Sequence, residues 1–380
     1  LRNFDQIVFP DDKIVFPDDK IVFPDWKIEG CATPDGETGI CTSISSCQPI
    51  LDFLDNVPQP LSLEVRNLLK SYICEYEGKK AQVCCPTKPI KIPKSRPLSI
   101  APPPNVDNHR NIKLLPKNCG RMDITDGIFY GNKTGLFEFP WMALLFYQTR
   151  SGPDFLCGGT IINNRYILTA AHCISNKLIK VRVGEHDIGT KIDCRKIYGE
   201  KICAPIFKDL DIETVIPHPK FDRRTYSHDV ALLRVPYMNF SIENIQPVCL
   251  PVNEARNYNL TNQNVIITGW GATEIKSSSS ELLKVQLQTI PLEECQNLSN
   301  SVSFPVTHLQ ICAGDSTKSD SCAGDSGGPL HVAAELHDNF RFIQQGIVSF
   351  EPKCGPHNIL PGVYTRVAYY MDWILDNMKP

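Results

Sequence analysis

Nowhere in the 380 residues does an apolar run approach the roughly 18–20 positions of a membrane-spanning helix, so no membrane partner is expected. A charge excess is missing too: 39 Lys and Arg against 42 Asp and Glu leave a formal −3. Without a basic field there is no electrostatic case for nucleic acid or an anionic surface. The opening residues, "LRNFDQIVFP", hold no signal-peptide core, so a leader was either already removed or never existed. Paired C-x-x-C ligands are absent, which removes a zinc reading of the cysteines; the one close pair is Cys84-Cys85. Apolar residues, by contrast, are plentiful. At 42% hydrophobic and 9% aromatic, the chain can pack a substantial domain and a smaller one.

Cysteine settles the compartment. Sixteen is even, and far more than a reduced cytosolic protein needs for packing. Asn-x-Ser/Thr acceptors at Asn132, Asn239, Asn259 and Asn297 agree with secretion, although such tripeptides also arise by chance. The chain reads as extracellular and disulfide-stapled.

Composition divides it into five parts. Residues 1–29 contain "IVFPDDKIVFPDDKIVFPDWK", a seven-residue repeat whose prolines forbid a helix and imply an extended arm. Residues 30–86 hold Cys31, Cys41, Cys47, Cys74, Cys84 and Cys85, the mark of a small scaffold stabilised more by crosslinks than by core; fifteen connectivities are open. Residues 87–118, rich in proline and basic side chains, read as an exposed, easily cut spacer. Residues 119–127 precede a candidate cleavage point. From 128 to 380, short apolar runs such as "WMALLFY", "YILTAA" and "VIITGW" between Gly, Pro and Asn turns give an all-β, barrel-like pattern.

Three motifs decide the chemistry: "TAAHC" with His172, "HDVALLR" with Asp229 and "CAGDSGGPL" with Ser326. A serine hydroxyl is a poor nucleophile at neutral pH. It needs a base to take its proton and an acid to hold that base in one tautomer. The order His, Asp, Ser excludes the subtilisin and α/β-hydrolase arrangements. Each residue alone would be ordinary; "GDSGGP" is the strongest single signal, because its glycines permit a tight turn with inward amides.

On these motifs residues 119–380 resemble the chymotrypsin family of serine proteases. With the cysteine pattern of 31–85, the whole chain resembles the arthropod clip-domain proteases. The resemblance implies a mainly β fold of two perpendicular six-stranded barrels, with the active site between them, and a small disulfide-rich clip domain. It implies His172 as general base and acid, Asp229 as its orienter, Ser326 as nucleophile and the amides of Gly324 and Ser326 as oxyanion hole. Asp320 falls at the floor of the specificity pocket, where a carboxylate selects arginine or lysine. Gly362 falls where a small wall residue keeps the slot open. Glu351 departs from the usual glycine beside that pocket, and would overhang the entrance or contact a basic residue of the substrate.

The resemblance further implies a zymogen, switched when a cut before Ile128 frees an amine that buries itself against Asp325. Gly127 departs from the pattern, because an activating trypsin-like protease wants arginine there; the expectation is either an activator that is not trypsin-like or a chain altered at this bond and held inactive. A cut at Arg121 would leave an end beginning at Met122, too long to insert. The implied disulfides are Cys31–Cys84, Cys41–Cys74, Cys47–Cys85, Cys119–Cys249, Cys157–Cys173, Cys194–Cys203, Cys295–Cys312 and Cys322–Cys354. Glu185, Asp187, Thr190 (through its carbonyl) and Asp193 lie at i, i+2, i+5 and i+8, hard oxygen donors resembling the calcium loop of these proteases, with a solvated acidic loop as the rival. A secreted haemolymph protease of Toll signalling or prophenoloxidase activation is therefore expected. Its partners would be a protein substrate (a downstream zymogen or cytokine precursor), an upstream activating protease and a serpin inhibitor. The rivals are a non-cleaving homologue acting as a binding cofactor, disfavoured by the intact Ser326, and a digestive trypsin, disfavoured by residues 30–118.

Overall fold

A computed structural model describes residues 30–57, 63–77, 80–90, 100–122, 133–197, 199–271, 279–299, 306–314, 326–336, 339–350 and 361–380. Its contacts divide the chain into two compact units, Leu1–Ser99 and Ile100–Pro380. The heptad-spaced repeat of the amino terminus lies outside the described residues.

In the first unit, β1 (Cys31–Ala32), β2 (Thr38–Ser43), β3 (Ile73–Glu77) and β4 (Lys80–Cys85) form an antiparallel sheet in the order β1-β2-β4-β3. Helices α1 (Gln48–Asp55) and α2 (Leu63–Ser71) connect β2 to β3. Pro49 sits in the first turn of α1, where a missing amide costs nothing. Ile50, Phe53 and Leu54 fall at i, i+3 and i+4, and that face is buried against Val57, Val65, Leu69, Tyr72 and Val83. So small a core does not offset ordering at about 1.5 kcal/mol per residue. Cys31–Cys84, Cys41–Cys74 and Cys47–Cys85 are bonded, at separations of 53, 33 and 38 residues. In the chain-entropy account each such loop contributes about 3–4 kcal/mol by restricting the unfolded chain.

Among the described residues the second unit holds two large sheets and a two-stranded hairpin. β5 (Met142–Thr149), β6 (Gly152–Asn163), β7 (Tyr166–Thr169), β8 (Leu178–Val183), β11 (Lys208–Asp211), β12 (Thr214–Pro217) and β13 (Ala231–Arg234) pair in the order β11-β8-β5-β6-β7-β13-β12. Between β8 and β11, the strands β9 (Cys194–Ile197) and β10 (Glu200–Cys203) make a hairpin closed by Cys194–Cys203. β14 (Asn264–Gly269), β15 (Leu283–Ile290), β16 (Gln310–Gly314), β17 (Pro329–Leu336), β18 (Asn339–Phe350) and β19 (Gly362–Arg366) close into a barrel in the order β14-β15-β16-β19-β18-β17. Helix α3 (Leu292–Ser299) follows β15, and α4 (Met371–Asn377) follows β19.

The first sheet agrees with the double-barrel expectation: β11 and β12 are consecutive pieces of one bent run, two residues apart, which pairs with β8 at one end and with β13 at the other and so brings the two edges of the sheet together. Both are four residues long and largely exposed; β11 reads KDLD and β12 ends in Pro217. Charge and proline on this exposed run discourage stray pairing with other chains. The main apolar core centres on the first sheet, with Trp141 and Ile161, and reaches Phe342 and Ile347 of β18 and Ile374 of α4; the closed barrel encloses a second one, with Val265, Ile267, Leu330, Val332 and Tyr364. Trp141 Nε1 donates to His331 Nε2 at 2.7 Å.

The spacer reading of 87–118 is corrected from residue 100 onward. Val106 is only 2% exposed, inside the main core, and Ile112, Leu114, Leu115 and Met122 pack against that core. Cys119–Cys249 is bonded at a separation of 130 residues. Composition suggested solvent; an apolar residue every few positions among the prolines suffices to dock the segment.

Candidate active site

His172 lies in a short 3-10 turn, Ala171–Cys173, directly after β7. The turn is held by Cys157–Cys173, which ties it to β6. Asp229 precedes β13 and follows His228, whose φ of 54° is left-handed. Ser326 lies just before β17, so Ser326 and His172 come from different sheets.

Geometry brings His172 and Asp229 together. His172 Nδ1 and Asp229 Oδ2 are 2.7 Å apart, and the backbone amide of His172 donates to Asp229 Oδ1 at 2.8 Å. Asp229 is 0% exposed, so its carboxylate needs a donor at each oxygen. Ser349, near the end of β18, donates its hydroxyl to Oδ2 at 2.6 Å, and Thr365 of β19 donates to the Asp229 carbonyl at 2.8 Å. With Nδ1–H committed to the carboxylate, the lone pair of His172 is left on Nε2. That nitrogen lies 3.7 Å from Cys173 Sγ, and the carbonyl of Ser326 lies 3.5 Å from the same sulfur. Ser326 is thus beside His172; among the described residues no hydrogen bond joins its hydroxyl to that ring.

The Ser326 backbone is pinned from both sides. Its carbonyl accepts from Gly158 at 2.8 Å, and Gly327 donates to Val348 at 2.8 Å. Gly327 has φ +83°, and a Cβ there would sit 2.6 Å from the Gly158 carbonyl and collide with Thr169 Oγ1. Left-handed strain and overpacking together put Gly327→Ala at about 2–4 kcal/mol of lost stability. Thermal unfolding measures it; a loss near zero would mean that the turn relaxes freely.

Two groups absent from the motif reading surround this core. The Tyr226 ring, at φ 51°, lies 5.5 Å from the His172 ring and 6.0 Å from that of Phe350. Behind Asp229, His218 and His228 stack at 4.9 Å, and His228 Nδ1 is hydrogen-bonded to the Tyr370 hydroxyl at 3.2 Å. Burial, helped by its neighbours His228 and Lys220, pushes His218 down to about 4; burial and Lys220 lower His228. The histidines next to Asp229 are thereby kept neutral. Ser349 was legible at most as a lone hydroxyl inside the apolar run "GIVSF".

Gly362 opens β19, and a Cβ there would meet the Tyr364 hydroxyl at 2.6 Å. Asp320, Gly324, Asp325, Glu351, Gly127, Ile128, Asn132, Cys322 and Cys354 lie outside the described residues. Cys295–Cys312 is bonded. Asn239 and Asn259 are exposed in turns, and Asn297 lies on α3.

In the acidic loop, Asp193 Oδ2 accepts the amides of His186 and Asp187, and Thr190 Oγ1 donates to its other oxygen. Glu185 Oε2 pairs with Arg182 at 3.2 Å, and Asp187 Oδ1 accepts from Gly189. Burial and the neighbouring Asp193 push the Glu185 carboxyl up to about 7. The donors are all oxygen and two carboxylates adjoin, which fits a hard cation. Among the described residues, the one trio of His, Cys or acidic ligand atoms in mutual reach is Cys157, His172 and Cys173. Its sulfurs are bonded to each other and offer no thiolate.

Comparison with known proteins agrees with this geometry. The family described as "Trypsin" matches residues 128–374, and "Regulatory CLIP domain of proteinases" matches residues 31–85. Phenoloxidase-activating factor 1 of Holotrichia diomphalia is 37% identical over 366 residues, covering 92% of this chain and 94% of its own. Serine protease grass of Drosophila melanogaster is 36% identical, covering 92% and 91%. The crystal structure of the Drosophila Grass clip serine protease of the Toll pathway superposes with a TM-score of 0.63 at 34% identity, covering 92% of this chain and 97% of that one. The chain belongs to the trypsin family of serine proteases, among those with an amino-terminal clip domain.

Proposed function

We propose that the protein is a secreted endopeptidase, made as a zymogen, that cleaves protein substrates after arginine or lysine. The observation that supports it best is the buried Asp229, which fixes His172 with Nε2 free beside an intact Ser326. In the proposed reaction Ser326 Oγ attacks the scissile carbonyl and its proton passes to His172 Nε2. The imidazolium is stabilised by Asp229 and then protonates the leaving amine. Water repeats the sequence and releases the acyl group. The amides of Gly324 and Ser326 would receive the developing oxyanion, and Asp320 would pair with the substrate's basic side chain.

Activation would free the amine of Ile128 to meet Asp325. We infer an activator that is not trypsin-like, since Gly127 gives such an enzyme no side chain to bind. Arg121 offers no substitute: its backbone bridges Arg341, and neighbouring Gly120 is bonded to Pro247 and Phe342. Disulfide density supports an extracellular setting, and relatives named for phenoloxidase activation and the Toll pathway support a haemolymph cascade, with a zymogen or cytokine precursor as substrate and a serpin as inhibitor.

The test forms the Ile128 end through Gly127→Arg and trypsin, then offers an arginyl amide. Turnover lost in Ser326→Ala supports the reading; no turnover in either protein is the behaviour of a non-cleaving homologue and sinks it.

Glu185, Asp187, Thr190 and Asp193 would hold Ca²⁺, a structural ion that ties the 185–193 loop together when bound. At a calcium concentration of a hundred times Kd, binding adds about 2.7 kcal/mol to stability. The midpoint of unfolding is expected to fall with chelator in the parent and to stay put in Glu185→Gln; an unchanged parent refutes the site.

A further inference from the structure

We infer that residues 100–122 hold the amino-terminal chain on the protease unit by their own contacts, so that attachment survives without Cys119–Cys249. This inference does not depend on the proposed activity.

The segment is fastened at three places. Val106 is buried in the main core, and the 3-10 turn Ile112–Leu114 with Leu115 packs beside it. Asn163 Nδ2, from the end of β6, donates to the Leu114 carbonyl at 3.2 Å. The second fastening is the carboxyl end of α4. The last carbonyls of a helix have no partner within it. Asn111 Nδ2 donates to two carbonyls there, Leu375 at 2.8 Å and Met378 at 3.2 Å. Alongside, His109 Nδ1 accepts the Asn111 amide, which leaves its Nε2–H to donate to Asp376 Oδ1 at 3.2 Å. The third fastening is β18. Gly120 donates to Pro247 and accepts from Phe342, both at 2.8 Å, and Arg341 Nη1 donates to the Cys119 carbonyl at 2.8 Å. Gly120 has φ +55°, and a Cβ there would collide with the Phe342 carbonyl, so the close approach is specific to glycine.

The disulfide adjoins only the third fastening. Proline has a further consequence here: Pro102, Pro103 and Pro104 restrict the free segment, so less conformational entropy is lost when it docks. The composition that suggested a loose spacer instead pre-organises a strap. A cut between residues 122 and 128 would leave every one of these bonds in place.

The experiment combines Cys119→Ser and Cys249→Ser with a site-specific protease sequence in place of residues 123–127. After cutting, gel filtration at about 10 µM is expected to keep both fragments in one peak, which requires a micromolar or tighter Kd. Adding Val106→Asp and Asn111→Ala is expected to release the amino-terminal fragment, a loss of affinity of at least about a hundredfold. Separate elution without those two changes, from a protease fragment that keeps its near-ultraviolet circular dichroism, overturns the inference. Should the serine variants fail to fold, hydrogen exchange on the unaltered chain decides. The amides of His109, Leu114, Leu115 and Gly120 are expected to be protected comparably to that of Gly158; exchange at the rate of unstructured chain overturns it.

Discussion

Asp229→Asn in the activated protein is expected to lower kcat by about four orders of magnitude while leaving KM and folding nearly unchanged. Asparagine matches aspartate in shape, so packing is preserved and the loss reports chemistry. Each oxygen of Asp229 is an acceptor: Oδ2 faces His172 Nδ1 and the Ser349 hydroxyl, and Oδ1 faces the His172 amide. An amide group must put its NH₂ in one of those places. At Oδ2 it forces the imidazole proton onto Nε2, which removes the lone pair that faces Ser326. At Oδ1 it sets donor against donor. Neither arrangement keeps both the tautomer and the orientation. Ser349→Ala is the milder companion, because it removes one hydrogen bond to a charged group, and about a tenfold loss is expected. Hydrolysis of an arginyl amide, normalised to folded protein, measures both; a loss under about tenfold for Asp229→Asn would show that Asp229 does not set the tautomer.

Acid is expected to destabilise the fold between about pH 6.5 and pH 3, through histidines the folded chain holds neutral. His331 is 0% exposed; its Nε2 accepts from Trp141 and its Nδ1–H is directed at the Ile266 carbonyl, 3.1 Å away. Protonating Nε2 would set N–H against N–H in an apolar interior, and burial pushes this group down to about 3. His218 falls to about 4, and burial also lowers His186 and His228. An unfolded histidine takes its proton near pH 6.5, so below that value the unfolded chain binds more protons than the folded one. Stability is therefore complete above pH 6.5 and declines as the pH falls, until the folded histidines charge as well. For His331 alone the loss is about 2 kcal/mol by pH 5. Glu185, pushed the other way, contributes the opposite slope, so the measurement compares the parent with His331→Gln, whose side chain offers an acceptor to Trp141 and a donor to Ile266. Between pH 7.5 and 5, urea unfolding is expected to show the parent losing about 2 kcal/mol more than the variant. Parallel curves would show that His331 does not carry the acid sensitivity.

How much of this was legible depends on the distance over which each residue is constrained. "GDSGGP" reads locally because Gly327 answers to a backbone angle and to atoms touching its own Cα. The histidine, aspartate and serine motifs, the cysteine-dense first unit and the mainly β character of the described part of residues 128–380 likewise declare themselves in short stretches. Ser349 does not. It serves Asp229 from 120 positions away, and in its own neighbourhood it is one hydroxyl in a strand. His331 is similar: only Trp141, 190 positions earlier, gives its burial a meaning.

Strand pairing and the fate of residues 100–122 divide the same way. Alternating apolar runs announce strands, yet that β11 and β12 form one bent run joining β8 to β13 is set by the partners each piece finds. Prolines and lysines announce an extended segment, yet whether it lies in water or against protein depends on the surface that its few apolar residues find. Chemistry, crosslink density and strand content follow from residue type and short spacing, because covalent geometry and side-chain reactivity act over a few bonds. The joining of β8 to β13 through one bent run, the Ser349 hydroxyl on Asp229, the dry histidine beside Trp141 and the docked strap came only with the folded chain, because burial and hydrogen-bond satisfaction are properties of surfaces that meet across more than a hundred residues.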